Sequence, residues 1–249
     1  TLSGTTNPAL NVQYSTIDYK RSEFSQLQNK DGDLEFVKEK DGYVIRSSQN
    51  EYIKKIRDAL IIELQKTVTE PIEKINIQLS TVTSPTVRSK FFYDLMMDLP
   101  GYVRRDVTDV YVYKPRPARK GADEDDDDGT AEDSHVEKVL MRGNGVSQSK
   151  ILSDLQSEKY YICRVGWLAT EQLGKGFGFQ IEALFQDSTD CRDFSYLLRG
   201  VYELDDDGKL QKKRRPATKS EIDTVSRVIE QKATELMNAA IAASKSVGE

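Results

Sequence analysis

The residues best placed to do chemistry are Arg142-Gly143-Asn144-Gly145-Val146-Ser147-Gln148-Ser149-Lys150. An expected strand feeds a glycine-containing turn that feeds an expected helix. Free backbone N–H groups and the helix dipole at such a junction could hold a phosphate or carboxylate, with Arg142, Gly143, Asn144, Gly145, Ser147 and Lys150 as the anion-binding set. The pattern departs from both nucleotide loops: GxxxxGK[ST] is absent, and GxGxxG finds only Gly143 and Gly145. The plain alternative is a tight β–α turn with Ser147 as the helix cap.

Other candidates for chemistry are weaker. Gly174-Lys175-Gly176-Phe177-Gly178 lies between two expected strands and reads as a hairpin turn. Glu203, Asp205, Asp207 and Gly208 imitate a calcium loop, but Arg214 stands at the twelfth position, where a carboxylate is needed. The nearest approach to a nuclease carboxylate–lysine pattern is Asp207-Gly208-Lys209, inside an expected turn. There is one histidine, His135, there are two cysteines, Cys163 and Cys191, and there is no CxxC or GxSxG. A Cys/His zinc site and a serine nucleophile elbow are thereby disfavoured. No catalytic residue, metal or cofactor is assigned, and the reading leans away from an enzyme.

Two basic clusters could contact phosphates: Lys114, Arg116, Arg119 and Lys120, and Lys212, Lys213, Arg214 and Arg215. Tyr111 and Tyr113 beside the first are candidates for stacking on bases. A third grouping depends on strand register. Arg164, Glu182, Arg199 and Glu203 should point away from the aromatic face of a sheet, as a binding surface, a pair of catalytic carboxylates or an ion-pair network.

The elements that must position these residues follow from periodicity. Ile53, Ile56, Leu60, Leu64 and Val68 form the stripe of a helix from Gln49 to Val68, which Pro71 ends. Ser84-Pro85 opens a second helix with Val87, Phe91, Leu95 and Leu99 on one side. Thr218-Lys219-Ser220-Glu221 is a capping box before a long helix striped by Ile222, Val225, Ile229, Ala233, Leu236 and Ala240. Strands are expected at Leu34–Lys38, Tyr43–Arg46, 75–79 (or, there, a continued helix using Ile72, Ile75 and Leu79), Val107–Tyr113, Val136–Arg142, Tyr160–Ala169, 177–185 and 194–202, with helices near 21–28 and 147–156. The strand–helix–strand run from Val136 to Ala169 predicts a parallel βαβ pair. The fold class is α+β: a mixed, mostly antiparallel sheet with one βαβ unit, packed by N-terminal and C-terminal helices. Residues 1–30 read as an N-terminal arm and 31–249 as one domain with a charged insertion at 114–135.

The net charge of −5 conceals a division, because eight acidic residues lie between Asp123 and Asp133 and the remainder is mildly basic. Such a block is expected to be solvated. No apolar run approaches a membrane span, no signal segment is visible, and the cysteine usage fits a reducing, cytoplasmic setting. Three classes of function follow in order: a non-catalytic interaction or assembly protein with a protein partner or a second copy of itself; a nucleic-acid-associated protein using the basic clusters; and an enzyme or sensor taking a phosphorylated ligand at 142–150.

Overall fold

The computed structural model describes residues 7–39, 42–116 and 135–246, which fall into two compact units, Thr1–Lys74 and Ile75–Glu249. Their architecture is α+β, with a three-stranded and a five-stranded antiparallel sheet and four α-helices. No helix among the described residues is long and apolar enough to cross a membrane.

In the first unit the strands β1 (Ala9–Ile17), β2 (Leu27–Glu39) and β3 (Gly42–Ser47) pair in that order, with helix α1 (Glu51–Thr67) on one side. Asn50 caps α1 by accepting from the Ile53 amide at 2.8 Å. Ile53 is buried against Gly32, where a Cβ would come within 2.5 Å of its Cγ1. Leu34, Val37 and Ile53 form the small interior, and Tyr14 stacks on Tyr52 at 4.3 Å. Residues 9–17, expected as an arm, are therefore a strand. The helix expected near 21–28 is only a 3-10 turn at Glu23–Ser25. The Asp41 half of the expected Asp-Gly turn lies outside the described residues.

The second unit is built on strands β4 (Tyr102–Tyr113), β5 (Lys138–Arg142), β6 (Tyr161–Glu171), β7 (Gly178–Asp187) and β8 (Arg192–Tyr202), in the order β5-β4-β6-β7-β8. Helices α2 (Pro85–Met97), α3 (Lys150–Ser157) and α4 (Lys219–Ser246) complete it. Every hydrogen-bonded pair is antiparallel. The expected parallel pair is present only in direction: β5 and β6 run the same way, but β4 lies between them and pairs with both. The sequence spacing permits either arrangement. In the observed order β4 pairs with β5 along one edge and with β6 along the other.

Alternation decides which side is covered. Phe185 and Phe194 face α2, where they meet Phe91 and Phe92 at 5.4–5.7 Å between ring centroids. Val107, Val110, Val165, Trp167, Ile181 and Ala183 continue this face, and Val225, Ile229 and Ala233 of α4 close the same core. Such aromatic pairs add about 0.5–1.5 kcal/mol beyond area burial. Two further expectations are corrected. Residues 75–79 are not a strand; the Leu79 amide donates to the Cys191 carbonyl at 2.9 Å and the Gln78 amide to Met237 Sδ at 3.4 Å. The helix expected from 147 is split into a 3-10 turn, Val146–Gln148, and α3, whose cap is Ser149 rather than Ser147.

Arg88 occupies the core side of α2, 8% exposed. Its guanidinium donates to the carbonyls of Val82 at 2.6 Å and Thr189 at 2.9 Å and lies 4.7 Å from the Tyr161 ring centre. It thus ties the approach to α2 to the β7–β8 turn, which Tyr161 also holds through the Ser188 and Thr189 carbonyls. Arg88→Ala leaves two carbonyls without their charged donor and should destabilise the second unit by about 2–4 kcal/mol. Arg88→Lys, which cannot span both, should recover only part, as read from urea unfolding midpoints.

Candidate interaction surface

The side of the five-stranded sheet turned away from α2 carries the polar grouping read from the sequence. Arg164 on β6, Glu182 on β7 and Arg199 on β8 come together there. Glu182 Oε2 accepts from Arg164 Nη2 at 2.8 Å and from Arg199 Nε at 2.7 Å. The convergence has a local cause. Gln180 pairs with Gly200 and Ile181 with Leu198, so Arg199 is the extra residue of a bulge and is free to turn toward Glu182. Glu182 is buried, whereas the Arg199 side chain keeps 40% of its surface. Two guanidinium groups on one carboxylate leave a positive charge in excess, and the more exposed cation can take a further acidic group.

The same face extends across β4 and β5. The Arg164 guanidinium lies 4.6 Å from the centre of the Tyr111 ring. Asp109 takes Arg142 Nε at 2.7 Å and the Thr108 hydroxyl at 2.9 Å, and Gln180 donates to Thr108 Oγ1 at 3.1 Å. Gly166 makes room for this cluster, since a Cβ there would sit 3.1 Å from Asp109 Oδ2. Burial pushes the Asp109 carboxyl up, but the bonds from Arg142 and Thr108, with the nearby Arg164 charge, outweigh it and hold the group below the usual carboxylate range. Leu197, 50% exposed, and Leu140, 43% exposed, pair with Glu182 and Tyr111 across their ladders and so stand on this face. The result is a mosaic of apolar side chains and paired charges with surplus arginine.

Glu203 does not join Glu182, so the two are not a carboxylate pair. Glu203 Oε1 instead accepts from Arg215 Nε at 2.6 Å, and Glu221 takes the other two guanidinium nitrogens at 2.7 and 2.8 Å. Arg215 also lies over the Phe177 ring, and its backbone bridges Val201. Of the second basic cluster, Arg215 is thus a structural clamp, while Lys212, Lys213 and Arg214 remain exposed. Of the first, Lys114 lies over the Tyr160 ring at 5.2 Å and Arg116 is exposed; Arg119 and Lys120, like the acidic tract, lie outside the described residues. Tyr111 is half-buried and Tyr113 is buried with its hydroxyl on Thr189 Oγ1 at 2.9 Å, so Tyr113 does not present a free stacking ring.

At the 142–150 turn the groups expected to hold an anion face partners from the chain itself. The Gly143 amide donates to the Thr108 carbonyl and the Gly145 amide to Asp106 Oδ1, both at 3.0 Å. Arg142 is on Asp109, and Ser147 Oγ accepts from Arg104 Nη1 at 3.2 Å. Asn144 and Lys150 are exposed. Gly145 is in the left-handed region at φ 69°, a backbone reason for glycine there.

Asp109, Thr108 and Arg88 were not singled out from the sequence. For Arg88 a signal exists: it stands seven residues before Leu95 and four before Phe92, on the buried stripe. For Asp109 none does, because Arg142 reaches it from another strand. Among the described residues no three metal-ligating side chains gather. No protein family, curated protein or solved structure matches this chain.

The Glu221 carboxyl is drawn down to about 2, chiefly by the Arg215 hydrogen bond, which outweighs the upward push from burial, with the Thr218 bonds lowering it further. Its folded value lies below its ordinary 4.5, so the stabilisation is complete above that pH and fades as pH falls toward 2. Glu221→Gln should therefore lower the melting temperature at neutral pH, and the gap from the native chain should narrow in acid, as followed by circular dichroism melts across that range.

Proposed function

We propose that this chain is a non-catalytic interaction protein, a subunit of a larger assembly, which docks a protein partner on the sheet face carrying Arg164, Glu182 and Arg199. The observation behind this reading is the surplus arginine at Glu182 set beside exposed Leu197. Leucine supplies apolar area, and the half-exposed Arg199 supplies a directional contact for a carboxylate, arginine being one of the residues that concentrate binding energy in protein interfaces. The partner surface is accordingly apolar with an acidic residue opposite Arg199. A photo-crosslinker at Leu197 in the native cell extract should yield a defined adduct that Arg199→Glu abolishes and Glu235→Lys, on α4, leaves intact. An adduct indifferent to Arg199→Glu would refute the docking face.

A second reading, nucleic-acid binding, draws on the exposure of Lys212, Lys213 and Arg214 beside the bonded Arg215. Replacing the three exposed cations by alanine should then weaken binding of single-stranded nucleic acid and reduce the slope of log affinity against log salt by about two to three. Fluorescence anisotropy over a salt series measures this; an unchanged slope would exclude the cluster as the contact.

A further inference from the structure

The outer edge of the three-stranded sheet differs from the other strand edges. β1 lies at one end of the order β1-β2-β3, and its sequence, Ala9-Leu10-Asn11-Val12-Gln13-Tyr14-Ser15-Thr16-Ile17, has no charge and no proline. Its pairing with β2 runs without a bulge. The remaining edge strands carry the devices that prevent edge-to-edge association. Arg46 is on β3, Lys138 and Arg142 are on β5, and Arg192, Asp193 and Arg199 are on β8, where Asp193 also has a left-handed φ of 54°. An uncharged, regular edge of nine residues is a template for another strand.

The hydrogen-bond phase shows which residues offer that template. At one end the Asp18 amide donates to the Gln26 carbonyl, and at the other the Phe36 amide donates to the Pro8 carbonyl. Even positions therefore bond inward to β2, and Ala9, Asn11, Gln13, Ser15 and Ile17 turn their N–H and C=O groups outward. All five are exposed. The even positions carry the side chains on the α1 side: Tyr14 stacks on Tyr52, and Leu10 and Val12 stand opposite Leu34 and Gly32.

We infer that β1 pairs with β1 of a second copy of this chain, antiparallel, about a two-fold axis through Gln13. The strand's own sequence argues for this occupant over a foreign one. Around Gln13 the axis sets Asn11 opposite Ser15, Val12 opposite Tyr14, Leu10 opposite Thr16 and Ala9 opposite Ile17. Polar residues meet polar residues and apolar ones chiefly meet apolar ones. Outward-facing backbone meets outward-facing backbone, and both α1 helices fall on one side of a continuous sheet. No like charges are brought together in the paired strands. An isologous contact of this kind closes at two chains because it consumes the free edge of each β1.

The β1 contact does not involve the arginine face of the other sheet, and substitutions at Gln13 leave that face unchanged. Sedimentation velocity on the full chain should show a dimer. Gln13→Lys and Gln13→Glu each place like charges across the axis and should weaken self-association at least about tenfold. Gln13 is exposed, so both variants should keep the native far-UV circular dichroism spectrum, which shows that loss of the dimer is not loss of the fold. An equimolar mixture of the two should re-form a mixed dimer, because opposite charges then face each other. A native chain that stays monomeric through the micromolar range overturns the inference. So does a dimer that neither substitution weakens, or one that the mixture fails to restore.

Discussion

The second unit depends on a single constraint: its sheet can be buried on one side only. Phe91 and Phe92 of α2 meet Phe185 and Phe194 of neighbouring strands, and α4 closes the same layer with Val225, Ile229 and Ala233. Strand side chains alternate, so committing those aromatics to the helices commits Tyr111, Arg164, Glu182 and Leu197 to the opposite side. The polar face is therefore a consequence of the core. A one-residue slip of β7 would have exchanged Phe185 for Leu184 and driven Glu182 into the aromatic layer, at a cost of several kcal/mol for an unpaired buried charge.

The same constraint explains how charge is handled. Glu182 is nearly buried even on the polar face and is matched by two arginines, one resting on Tyr111. Arg88 is buried on the other face and is matched by two carbonyls and the Tyr161 ring. The first arrangement leaves donors near solvent and can be read by a partner. The second spends its donors inside the chain and fixes the β7–β8 turn. Burial and hydrogen-bond geometry, not charge alone, separate an arginine that recognises from one that builds.

Much of the fold was legible because it rests on period. The stripes of α1, α2 and α4, the capping box at Thr218 and the alternation of β6, β7 and β8 are local signals, and each element stands close to where its pattern placed it. The misplaced elements depended on contacts distant in sequence. β1 is the exception: Leu10, Val12 and Tyr14 alternate with Asn11, Gln13 and Ser15, a period-two signal within the segment itself. The segment 75–79 alternates like a strand but finds no strand beside it, its amides going to the Cys191 carbonyl and to Met237 Sδ. The insertion of β4 between β5 and β6 leaves no trace in spacing, since either order satisfies the crossover length.

The site divides along the same line. That Arg164, Glu182 and Arg199 share a side follows from parity, whereas their meeting at one oxygen requires the bulge at Arg199, which parity cannot show. Glu203 has a compatible parity but ends beyond the bulge, where Arg215, brought back by the bridge to Val201, claims it. The 142–150 turn illustrates the converse. Its glycines, cap and basic residues are those an anion site would use, yet Asp106 and the Thr108 carbonyl occupy its amides. A glycine turn before a helix advertises donors; whether they are free is decided by the strand alongside, and here β4 supplies the acceptors.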